Sequence, residues 1–75
     1  MNQDRLIHDA NQIALYFAAY PHDEAVEGVA DHIHKFWDPR MRANLRTMLE
    51  SREQRLHALV LEAGVKLKVI DALKS

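Results

Sequence analysis

Only two prolines and two glycines punctuate this chain, and between them apolar residues recur three and four positions apart. That spacing lays a stripe along one face of an α-helix, whereas on a strand it would scatter over both faces. Leu6, Ala10, Ile13 and Phe17 make the first stripe, flanked by Ile7, Ala14 and Ala18, and predict a helix over about residues 4–19 with Asn2 or Asp4 as its N-cap. Leu15 and Tyr16 fall outside this stripe, a small excess of apolar surface on its outer side. Pro21 breaks the chain, and Val26, Val29, Ala30, Ile33 and Trp37 predict a second helix over about 24–36, capped by Asp23. Gly28 sits inside it, and with Ala25 offers a flat strip where another helix can come close.

Asp38-Pro39 is the sharpest local signal. Asp is a favoured N-cap, and Pro is tolerated at the first helical position because that N–H has no partner inside the helix. A third helix should start there with Met41, Leu45, Met48 and Leu49 inward, and with Arg40, Arg42 and Arg46 on flanking or outer positions. Leu56, Val60, Ala63, Leu67 and Ile70 continue the helical period, with Leu59 and Leu73 beside them. Ser51-Arg52-Glu53 marks a join but holds no strong breaker, so the last stripe is either a fourth helix or an extension of the third. It should run to about Ala72, with a weak point at Gly64. The expected fold is all-α, a small antiparallel bundle of three to four helices.

Size limits what such a bundle can do alone. A globule of 75 residues buries only about 60% of the surface its unfolded chain exposes, and ten of the hydrophobic residues here are alanines. Marginal stability follows, with a partner or self-association as the remedy. The charge is uneven: residues 1–38 carry seven acids and two bases, residues 39–75 eight bases and four acids. Neighbouring helices can neutralise one another in this way, or the dipole can orient a protein partner.

Most chemistries find no footing. Cysteine is absent, the two serines are Ser51 and Ser75, and the glycines stand 36 positions apart, so neither a nucleophile set nor a phosphate loop is available. His32 and His34 flank one position and diverge by about 200° on a helix, which argues against a metal site with Asp31 or Asp38. Arg40, Arg42, Arg46, Arg52 and Arg55 form a basic stripe, but Glu50 and Glu53 interrupt it and the acidic half repels phosphate. Nucleic acid is therefore not the expected partner. No apolar run has the length of a membrane span, and the first residues lack a signal-peptide core, so the expected location is cytoplasmic.

Residues 30–42, ADHIHKFWDPRMR, concentrate the only Trp with two Arg around the Asp38-Pro39 break. Trp37 reads as a core aromatic or as an anchor entering a partner's pocket, and the two are compatible if one ring edge stays open. This stretch, with Ala10-Asn11-Gln12-Ile13-Ala14, Phe17, Pro21 and the run Glu24 to Ile33, resembles the delta subunit of cytoplasmic NAD-dependent, molybdenum-containing formate dehydrogenases. The resemblance is good over about residues 6–45 and thins after Glu50.

The resemblance implies a single helical domain over 1–75, with a family-like three-helix core over 1–50 and a C-terminal amphipathic helix over 51–75. It also implies a non-catalytic accessory subunit that binds the alpha subunit and supports complex stability or cofactor insertion. Molybdenum cofactor, iron–sulfur clusters, FMN and NAD would then sit in the partner complex and none on this chain. Trp37, Asp38, Pro39, Arg40 and Arg42 are the expected partner-binding residues. The alternative is a free-standing helical interaction or self-association module. The C-terminal segment either folds back on the bundle or serves as a second docking surface.

Overall fold

The computed structural model describes residues 2–74, with side chains described as far as Val69. Four helices follow one another: α1 (Gln3–Phe17), α2 (His22–Phe36), α3 (Pro39–Glu50) and α4 (Ala58–Lys74). No strand occurs among the described residues. The stripes expected from the sequence face inward. Leu6, Val29, Ile33, Leu45 and Val60 are the largest side chains wholly removed from solvent, and each helix supplies at least one. Ile13, Phe17, Met41 and Leu49 pack against this core but stay partly open. Ile70 and Leu73, expected on the same stripe, lie outside the described side chains.

Helix α4 has its most extensive contact with α2, and also meets α1 and α3. The C-terminal segment thus folds back on the bundle: Leu59, Val60, Ala63 and Leu67 are buried. The radius of gyration, 11.2 Å, equals the roughly 11 Å expected of a 75-residue globule, so no arm projects.

The helix ends refine the expectations. Asn2 caps α1, its Oδ1 accepting the Asp4 N–H at 2.8 Å. Asp23 does not cap α2. The helix begins a residue earlier, at His22, with Pro21 at the N-cap and no side-chain acceptor there. The Pro21 carbonyl accepts the Ala25 N–H at 2.8 Å, which places Asp23 and Glu24 in the first turn, where they complement the helix dipole.

Helices α3 and α4 are separate. The Glu53 N–H reaches the Met48 carbonyl at 3.0 Å and the Arg52 N–H the Leu49 carbonyl at 3.2 Å, the paired bonds of a Schellman ending. Arg52 holds φ at 58°, the left-handed conformation that this ending requires. Helix α4 restarts at Ala58, capped by His57, whose Nδ1 accepts the Leu59 N–H at 3.0 Å. Gly64 does not end it. A Cβ there would lie 2.6 Å from Leu49 Cδ1, so the glycine lets α3 approach α4. Gly28 plays the same part for α1, since its Cβ would stand 2.5 Å from the Phe17 ring. The flat strip is filled from within the chain.

Candidate partner-binding surface

The α2–α3 corner is built on Asp38. Its Oδ1 accepts the Met41 N–H at 2.8 Å and its carbonyl accepts the Arg42 N–H at 3.1 Å, with Pro39 at the first helical position. Trp37 takes extended backbone as the C-cap of α2, its N–H still bonded to the Ile33 carbonyl at 3.0 Å. That geometry turns two consecutive aromatics apart. Trp37 is 8% exposed and belongs to the core, whereas Phe36 is 72% exposed.

Arg40 is exposed on the first turn of α3, and Arg42 is half-buried, so of the flanking or outer positions expected for them Arg40 takes the outer and Arg42 the flanking one. Its Nη1 lies 2.9 Å from His34 Nδ1. A guanidinium can only donate, so His34 accepts on Nδ1 and keeps its proton on Nε2. Of the five expected partner-binding residues, Trp37 packs in the core, half-buried Arg42 reaches His34 of α2, and exposed Asp38 caps α3 at the corner. Pro39 and Arg40 are exposed on its outer surface.

The residues weighed for metal are spent elsewhere: Asp31 pairs with Lys35 at 3.1 Å, Asp38 caps α3, and His34 accepts from Arg42. Among the described residues no group of three or more His, Asp or Glu is placed so that it could hold a metal ion. With no cysteine in the sequence, this chain's donors do not fit an iron–sulfur cluster. No helix among the described residues is long and apolar enough to cross a membrane. The basic stripe is also broken. Arg55 pairs on the surface with Glu53 Oε1 at 3.1 Å and Asp4 Oδ1 at 2.7 Å, and these carboxylates, Glu53 foremost, raise its pKa. In return the hydrogen bonds from Arg55 hold Glu53 below the usual carboxylate range.

Sequence reasoning gave no individual role to Asn11 or to the aromatic face of α1 and α2. The Asn11 Nδ2 donates to the Arg55 carbonyl at 2.8 Å and its Oδ1 accepts the His57 N–H at 2.8 Å, fastening the α3–α4 loop to α1. On the opposite side of α1, Tyr16, Phe17 and Tyr20 cluster with His32 and Phe36 of α2. Tyr16 and Phe17 meet edge-on at 4.9 Å, and His32 lies 4.7 Å from Phe36. The Tyr20 phenol is pushed up by its hydrogen bond with Tyr16 and by that neighbour's charge, then by burial and Glu24. The only sequence signal for this face was Tyr16 lying off the core stripe.

Comparison with known proteins decides the family. Residues 5–64 match the NADH-dependent formate dehydrogenase delta subunit family, FdsD. The chain belongs to it. The FdsD match takes in most of α1, all of α2 and α3, the corner, the loop held by Asn11 and the start of α4 as far as Gly64. It extends beyond the 6–45 stretch on which the resemblance was strongest. No curated protein and no solved structure matches the chain.

Proposed function

We propose that this chain is a non-catalytic accessory subunit that binds the molybdenum-containing alpha subunit of a formate dehydrogenase and supports its stability or cofactor insertion. The FdsD match over residues 5–64 carries the reading. The architecture agrees with it: several polar side chains serve as caps and interhelical ties, and the corner, capped by Asp38, carries an outward cation at Arg40. In this reading Trp37, Asp38, Pro39 and Arg42 fix the shape of the corner, and Arg40 makes a direct ionic contact. Molybdenum cofactor, iron–sulfur clusters, FMN and NAD belong to the larger subunits, and the assembly works in the cytoplasm.

The test is co-expression of the catalytic subunits with and without this chain, followed by purification. The chain should co-purify with the alpha subunit, and its omission should lower formate oxidation. Loss of molybdenum from an otherwise intact alpha subunit would point to insertion, and loss of the alpha subunit itself to stabilisation. Full activity and full metal content without the chain would sink the proposal.

A further inference from the structure

The end of α3 holds a residue that its backbone does not favour. Among the described residues only Arg52 has a positive φ, 58°, and it is exposed. Glycine enters that conformation without the Cβ clash that every other residue meets, so the ending of α3 does not explain an arginine. The α3 dipole favours a cation near this end, but for a solvated side chain that effect is smaller than the conformational cost. Contacts within the chain do not explain it either. Among the described residues the Arg52 side chain makes no hydrogen bond or ion pair. By contrast, Arg5 pairs with Asp9, Arg42 reaches His34, and Arg55 joins Glu53 and Asp4. A strained, exposed position of this kind points to function outside the fold. We infer that Arg52 is a contact residue whose guanidinium takes a carboxylate of the larger subunit.

The backbone presents that guanidinium from a fixed point. The Arg52 N–H reaches the Leu49 carbonyl at 3.2 Å, and the Ser51 and Glu53 N–H groups reach the Thr47 and Met48 carbonyls at 3.0 Å each. Ser51 Oγ donates to the Met48 carbonyl at 3.0 Å, and Asn11 fastens Arg55 and His57 to α1 just beyond. The Cα is placed and only the side chain moves, which limits the freedom lost on binding. A guanidinium sets two parallel N–H groups against the two oxygens of a carboxylate, the strongest pairing open to it in a protein partner. Nucleic acid is disfavoured here. Its phosphates would meet Glu50 and Glu53 within two residues of a single cation, whereas one carboxylate of a folded subunit can reach the guanidinium alone.

This inference rests on the accessory-subunit reading, and one experiment separates the two. The chain and its Arg52→Gly, Arg52→Gln and Arg52→Lys variants are titrated against purified alpha subunit, and each free chain is melted alongside. Arg5→Gln, which removes the same charge where Asp9 already answers it, serves as control. Arg52→Gly should melt higher than the parent and yet bind about tenfold or more weaker, so that lost folding cannot account for lost binding. Arg52→Gln should bind as weakly without the gain in melting temperature, and Arg5→Gln should bind like the parent. In the complex of Arg52→Lys, a carbodiimide should join the new amine to an aspartate or glutamate of the alpha subunit. The amide bond forms as the carboxyl C–O bond breaks, and the carbodiimide leaves as a urea carrying the elements of water. Arg52→Gly that binds as tightly as the parent overturns the inference and leaves the accessory reading standing. An equal loss from Arg5→Gln also overturns it, by showing long-range charge in place of a contact, as does a product at position 52 that joins only a second copy of this chain. A parent that does not bind the alpha subunit overturns the accessory reading, and this inference with it.

Discussion

Asn11 does at one position what a short stretch of backbone pairing would do. Its amide accepts from the His57 N–H and donates to the Arg55 carbonyl, so two groups of a seven-residue loop find partners on α1. Asn11→Ala leaves both without those partners, and a partly buried unsatisfied group costs about 1–3 kcal/mol. Urea denaturation should show a loss of that order, and a loss below about 0.5 kcal/mol would mean that water replaces the amide freely. The glycines make a contrasting pair. Alanine is favoured over glycine inside a helix by about 1 kcal/mol, so in open space both replacements would stabilise. At Gly28 the new Cβ meets the Phe17 ring, which is already held between Tyr16, Tyr20 and His32. At Gly64 it meets a terminal methyl of Leu49, which can rotate away. Gly28→Ala should therefore destabilise by about 1–3 kcal/mol, while Gly64→Ala stays within about 1 kcal/mol of the parent. Paired denaturation midpoints measure the difference.

At the scale of the elements, the start of α3 was legible and its end was not. Asp38-Pro39 combines a side-chain acceptor with a residue that cannot donate, a pairing that suits few places other than a helix start, and the structure puts both there. Asp38→Ala should cost about 0.5–2 kcal/mol in a thermal or urea melt. The end of α3 relies on a left-handed residue, and sequence reading looks for glycine at that position. Here the position is Arg52, at φ 58°, so the join looked continuous. A side chain in that conformation costs roughly 1–2 kcal/mol. Arg52→Gly should stabilise the fold by about 0.5–1 kcal/mol, and a destabilisation would show that the arginine contributes more through contacts than its backbone costs. The misplaced cap of α2 has a similar origin. Asp23 is a good cap by residue type, but Pro21 already supplies the turn and a carbonyl acceptor, so the helix starts before Asp23 can serve. The geometry of the corner was legible through Asp38-Pro39, whereas the aromatic face depends on how Tyr16 and Phe17 meet His32 and Phe36 across two helices, which periodicity within one helix does not report.

The whole molecule exposes 5042 Å², close to the roughly 4,700 Å² expected of a globule of its mass, so burial is ordinary. The halves of opposite charge meet directly at one tie, where Arg55 from the basic half joins Asp4 of α1 and its own neighbour Glu53. Its acid dependence has a definite sign. Glu53 titrates lower in the folded chain than unfolded, held down by the Arg55 hydrogen bonds. Its contribution to stability is thus complete above the ordinary glutamate range, about pH 4.3, and is lost as pH falls through the lowered value. Comparing the parent with Glu53→Gln removes the contributions that other groups make equally to both chains. The parent should melt higher than the variant at pH 7, and the gap should narrow as pH falls below the ordinary glutamate range and Glu53 takes up its proton, because the protonated side chain and the glutamine that replaces it are alike in charge. Melting curves across that range measure it. A gap that stays constant would show that Glu53 acts through shape and neutral hydrogen bonding alone, and that the two charged halves are held together by the apolar core without this tie.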